Sequence, residues 1–135
     1  MPVTTKLRQE IWVKLLGNVA FNPISALTAG TLEELALHPE VSRAVREIMT
    51  EATAVAAKIN VEIPISIEQR MAGAAKVGAH KTSMLQDYEA GRPMELDAIV
   101  GAVVELGDRL GVPVPATRTV YACAKMLDEK RRRNA

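Results

Sequence analysis

Apolar positions recur at intervals of three and four along most of the chain, and runs that alternate apolar with polar residues are scarce. That period predicts helices rather than strands. The clearest case follows Pro39, where Val41, Val45, Ile48, Ala52 and Val55 form one stripe and the proline suits a first helical turn. Turn and cap residues divide the rest. A first helix runs through residues 6–22, with Thr4 or Thr5 as its cap, and Pro23 must either kink it or open a new helix capped by Asn22. Thr31 and Glu34 form a capping box for a short helix ending before His38-Pro39, and Ser66 and Gln69 form a second box for a helix through Val77. The stretch 59–65 is the best strand candidate, but Pro64 interrupts it and no partner strand is visible, so it reads as an extended connection. SMLQDYEA makes another helix that stops at Gly91; Met94 or Glu95 opens the next, which stops at Gly111; a last helix covers about residues 117–130, after which Lys130–Arg133 trails into solvent. The fold class is all-α, a multi-helix bundle.

Composition agrees. The chain has 135 residues, a length suited to one domain spanning 1–135, and twenty of them are alanine, the best helix former. Lys plus Arg number 17 against 16 Asp plus Glu, so the net charge of +1 removes the usual electrostatic case for binding nucleic acid or an anionic membrane. No apolar run approaches the roughly 18 residues that span a bilayer, and the N-terminus has no signal-peptide core, which leads to the expectation of a soluble, cytoplasmic protein. A single cysteine, Cys123, excludes an internal disulfide and reads as a core residue of the last helix. His38 precedes Pro39 at a helix boundary and His80 ends a helix; neither has a partner at ligand spacing, so no metal is expected.

Two features are out of place. Lys14, Asn18 and Asn22 fall within about 80° of arc on the first helix, whose remaining circumference is almost wholly apolar. A helix apolar nearly all round is buried, and polar groups inside it need partners. Either Lys14 snorkels to solvent while the asparagines cap the break at Pro23, or the three line a cleft that binds a small polar ligand. The segment 81–97 is the second feature, dense in polar residues that include Lys81, Ser83, Gln86, Asp87, Arg92, Glu95 and Asp97. It reads as a solvated loop and cap, or as a source of groups facing that cleft, with Glu95 opposite Lys14. No glycine-rich dinucleotide or phosphate turn and no nucleophile elbow occurs.

Three motifs in order, W-x-K-x-x-x-N-x-x-x-N-P from Trp12 to Pro23, S-M-x-Q-D followed by E-x-D from Ser83 to Asp97, and G-V-x-x-P from Gly111 to Pro115, resemble the C-terminal domain of ketopantoate reductases, also called 2-dehydropantoate 2-reductases. The resemblance implies an all-α domain like that of 6-phosphogluconate dehydrogenase-like enzymes and NADPH-dependent reduction of 2-dehydropantoate to (R)-pantoate, toward pantothenate and coenzyme A. By the same resemblance Lys14 hydrogen-bonds the keto oxygen and supplies its proton, and Glu95 positions that lysine and the substrate hydroxyl. Asn18 and Asn22 hold the substrate, and Ser83 lies near its carboxylate. Some family members have an asparagine near Leu32, a contact this chain lacks. Family enzymes carry a Rossmann domain before this region, so NADPH is expected to be bound mainly by that domain and this chain alone to be inactive. The implied partners are a small 2-keto acid, the Rossmann domain and a homodimer mate, with no nucleic acid and no membrane. The alternatives are a different 2-keto acid reductase on the same scaffold and a non-catalytic helical interaction or dimerisation module, with a helical DNA-binding domain a distant third.

Overall fold

A computed structural model describes residues 2–133, and the side chains of residues 6–132. Among the described residues there are seven α-helices and no strand: α1 (Pro2–Thr28), α2 (Leu32–Leu37), α3 (Pro39–Lys58), α4 (Ile67–Val77), α5 (Ser83–Ala90), α6 (Ala102–Leu110) and α7 (Pro115–Arg133), with a wide helical turn, Asp97–Gly101, leading into α6. The all-α architecture is therefore as the sequence indicates.

The central element is α1. It packs against α2, α3, α5 and α7, and its Leu16, Val19, Ala20 and Phe21 are essentially inaccessible. The predicted stripe of α3 meets it with Val45, Ile48, Ala52 and Val55 fully buried. Val100 and Val103, from the turn before α6 and from α6 itself, and Ala124 of α7 complete the core.

Both predicted capping boxes form, at Thr31/Glu34 and at Ser66/Gln69. Gly91 and Gly111 end their helices in the left-handed conformation, with φ of 81° and 72°. The 59–65 stretch pairs with nothing in a sheet, but it is not extended throughout: residues 59–60 form a turn, with Asn60 at φ of 61°, and residues 64–65 bend.

The structure departs from expectation at several places, each for a physical reason. The first helix begins at Pro2, ahead of Thr4 and Thr5, whose side chains lie outside the described residues. It also runs through Pro23 to Thr28. Proline costs one ladder bond, but Ile24 and Ala26 stay buried beyond it and the Ser25 hydroxyl donates to the Asn22 carbonyl at 2.7 Å, so packing outweighs the loss. Asn22 is consequently inside the helix, not its cap.

Neither Met94 nor Glu95 opens a helix. Glu95 has φ of 57°, and the helical turns begin after it. His80 lies in the connector after α4, which ends at Val77. His38 instead caps α3, its Nδ1 accepting from the Glu40 and Val41 amides at 3.2 and 3.1 Å. Cys123 is exposed: the inward positions of α7 are Thr117, Ala124 and Asp128, and Cys123 falls beside that stripe. Residues 130–133 remain helical, with Arg132 on Asp128 at 2.8 Å and the Arg131 guanidinium 4.2 Å above the Tyr88 ring. Among the described residues no helix is long and apolar enough to cross a membrane.

Candidate functional site

The polar stripe of α1 grades from solvent to core. Lys14 is exposed, Asn18 half-buried, and Asn22 only 4% exposed. One helical turn separates each from the next, so a single rigid rod carries an ammonium at the surface and a carboxamide at depth. Asn18 and Asn22 open on a concavity of about 220 Å³, whose opposite wall is the segment 80–83 and Gln86 of α5.

That wall is held by backbone and hydroxyl bonds. The Leu32 amide at the start of α2 donates to the His80 carbonyl at 2.9 Å, and the Glu33 amide to the Gly78 carbonyl at 3.1 Å. Thr82 caps α5, its hydroxyl oxygen accepting from the Leu85 amide at 3.1 Å. The same oxygen lies 2.5 Å from the Ser25 hydroxyl of α1, buried. Because the Ser25 proton goes to the Asn22 carbonyl, Thr82 donates and Ser25 accepts, so the chain of bonds runs from α5 into the backbone of Asn22 itself. Ser83, the next residue, lines the same concavity as Asn18 and Asn22.

One residue lining this concavity carries a polar group without a partner. The Asn22 side-chain amide nitrogen is buried and makes no hydrogen bond. An orphaned buried donor of this kind costs about 1–3 kcal/mol, and native chains seldom keep one without use.

Of the sequence-derived site residues, the structure brings Asn18, Asn22 and Ser83 together, with Leu32 on the same wall. Lys14 stands one turn above Asn18 and does not line the concavity. Glu95 is exposed and lines a separate recess of about 290 Å³ beside Asp97, Lys125 and Arg132. Lys14 and Glu95 form no ion pair among the described residues, and Glu95 lies on a recess that Lys14 does not line. Much of the 81–97 segment serves structure instead, with Lys81 on Glu89 at 2.8 Å, Arg92 on Asp87 at 3.0 Å, and Asp97 bound by Tyr121 and Lys125 of α7.

Arg70 of α4 lines the same concavity and sequence reasoning missed it. Its guanidinium lies 5.6 Å from the centroid of the Phe21 ring and against Gly17, where an added Cβ would sit 2.1 Å from Nη2. The one signal in the sequence was Gly17 itself, a glycine in a helix interior where some close neighbour must justify it. A larger basin of about 800 Å³ lies between Tyr88 and the end of α7, but it holds no orphaned polar group among the described residues. No cluster of metal-ligating side chains occurs among them either.

The fold and concavity define a helical domain with carboxamides, a hydroxyl and a guanidinium around a small pocket. The family described as "Ketopantoate reductase PanE/ApbA C terminal" matches residues 6–128, and the chain belongs to it. A 2-dehydropantoate 2-reductase of Mesorhizobium japonicum is 48% identical over 130 residues, covering 96% of this chain and 40% of that protein. The crystal structure of 2-dehydropantoate 2-reductase from Methylococcus capsulatus superposes with a TM-score of 0.82 at 40% identity, covering 91% of this chain and 43% of the other. That of a ketopantoate reductase from Ralstonia eutropha gives 0.83 at 32% identity, covering 90% and 41%. The chain thus spans about two-fifths of the length of the curated relatives it matches, as their C-terminal part.

Proposed function

We propose that the chain is the substrate-binding and catalytic half of an NADPH-dependent 2-dehydropantoate 2-reductase. It would act on 2-dehydropantoate in a protein whose remaining part, a Rossmann domain, holds the cofactor. The observation that carries this reading is the unpartnered amide of Asn22, buried in a concavity that also holds Asn18 and Ser83. Family membership and the names of the relatives support the choice of substrate.

The described residues contain no strand–turn–helix that could seat a pyrophosphate, so this chain does not fit a dinucleotide by itself. Its own residues bind and orient the keto acid. Asn22 donates from the floor, Asn18 holds a second polar group nearer the mouth, and Ser83 approaches the carboxylate. Lys14, exposed at the rim, hydrogen-bonds the keto oxygen and hands it a proton as the alkoxide forms; an ammonium stabilises that charge before neutralising it. Glu95 is the carboxylate that positions Lys14 and the substrate hydroxyl, a role that requires the two side chains to approach each other when substrate is bound.

The same fold occurs in D-mandelate dehydrogenase, at a TM-score of 0.81, so the fold does not choose the acid. A dimeric ketopantoate reductase of Staphylococcus aureus, 25% identical, also shares it, and pairing of this domain with a second copy is part of the proposal. The test is Lys14→Ala in the full-length reductase containing this chain. Turnover falls by about 100-fold or more, with the unfolding midpoint unchanged because the side chain is exposed. Near-normal turnover refutes the assignment. Equal rates on keto acids lacking the hydroxyl point to another 2-keto acid as the substrate.

A further inference from the structure

We propose that Arg70 is the carboxylate-binding residue of the concavity, its guanidinium taking, beside Ser83, the carboxylate of a small 2-keto or 2-hydroxy acid whose remaining polar groups face Asn18 and Asn22. The inference rests on reading the concavity as an acid-substrate site, and it names the group that fixes the substrate's charged end.

Three observations carry it. The first is charge. No aspartate or glutamate lines the concavity, and the one lysine among its lining residues, Lys81, is engaged by Glu89 at 2.8 Å. Arg70 makes no ion pair among the described residues, whereas Arg46 sits bidentate on Glu68 at 2.8 and 3.1 Å and Arg92, Arg109 and Arg132 each hold an acid.

The second is burial. Arg70 is half-buried, and burial pulls its pKa below the ordinary arginine value while leaving it a cation. A desolvated charge without a partner is a standing cost that an incoming anion removes.

The third is placement. Gly17 leaves the space the guanidinium occupies, and the Phe21 ring lies beneath it. A side chain seated between a glycine and an aromatic face has lost much of its rotamer freedom before any ligand arrives. A planar fork so held suits the two oxygens of a carboxylate, and one unpaired cation in about 220 Å³ suits a monoanion better than a phosphate.

The experiment is a titration of the isotope-labelled 135-residue chain by NMR with pantoate, its neutral primary amide, pyruvate and inorganic phosphate. Pantoate should shift the backbone amides of Asn22 and Ser83, and the neutral amide should bind at least about tenfold more weakly. Arg70→Gln should weaken pantoate by at least about tenfold and leave the neutral compound unaffected. Arg70→Lys should fall between. Gly17→Ala keeps the charge but places a methyl where the guanidinium lies, so it should weaken pantoate as Arg70→Gln does; a general electrostatic effect would survive it. The three variants perturb the fold differently, and their melting curves show which can be compared.

Wild-type affinity for pantoate in Arg70→Gln overturns the proposal, as does the absence of any carboxylate binding to the unmodified chain. Phosphate bound more tightly than either acid also overturns it. If pyruvate binds as well as pantoate and both depend on Arg70, the guanidinium keeps its role and the 2-dehydropantoate reading falls. If pantoate is preferred but indifferent to Arg70→Gln, the substrate reading stands and this inference fails.

Discussion

At the scale of single residues, Asn22 shows how a functional position differs from a structural one. A carboxamide 4% exposed and missing a partner for its nitrogen is poorer for stability than a leucine of similar shape. Asn22→Leu should therefore leave urea stability unchanged or raise it by up to about 1–2 kcal/mol, while lowering pantoate affinity at least tenfold. A loss of stability in that variant would mean the amide has a structural role. The sequence exposed this residue because a polar stripe on an otherwise apolar helix is legible from spacing alone. Arg70 was not legible, since one arginine among the polar residues of an amphipathic helix carries no mark of the glycine and aromatic ring it meets across the fold. The place of Glu95 was not legible either: a positive φ just before the helical turns sets it on a recess apart from Asn18, Asn22 and Ser83, which its charge alone does not foretell.

Among the elements, local signals were read correctly where the deciding contacts lie within four residues. The two capping boxes and the glycine stops are of that kind. Pro23 was not, because the packing of Ile24 and Ala26 that carries α1 past it is tertiary. Nor was the start of α7. There Glu51, from the middle of α3, accepts from the Ala116 and Thr117 amides at 2.9 and 2.8 Å and from the Thr117 hydroxyl at 2.7 Å. A cap donated from 65 residues away leaves no trace in the local sequence. Glu51→Ala should cost about 1–2 kcal/mol, seen as a drop of several degrees in Tm; an unchanged Tm would show that solvent replaces the cap without loss.

For the whole molecule, the last two helices are tied by Asp97, whose carboxylate accepts from the Tyr121 hydroxyl at 2.5 Å and the Lys125 ammonium at 2.9 Å. The Tyr121 hydrogen bond, then that of Lys125, holds the Asp97 carboxyl below its ordinary 3.8. The same contact raises the Tyr121 phenol above its ordinary 10.0. A depressed carboxyl stabilises the fold above its unfolded value and loses that contribution as pH falls through the folded one. A raised phenol stabilises below its unfolded value and loses the contribution as pH rises through the folded one. The difference in urea midpoint between the wild type and Asp97→Ala should thus be level between about pH 4 and 10 and shrink outside that window on both sides. A difference independent of pH would remove the charge from the account. It stays small throughout, because Asp97 is largely exposed to solvent.

The hydroxyl relay from Thr82 through Ser25 to the Asn22 carbonyl joins two walls of the pocket before anything enters it. Such a cavity behaves as a mould: guests are chosen by fit to a shape already cast. A change of diet within the lineage would then be written in the side chains that protrude into the hollow, Leu32 first among them, and the scaffold that carries them would pass down unaltered.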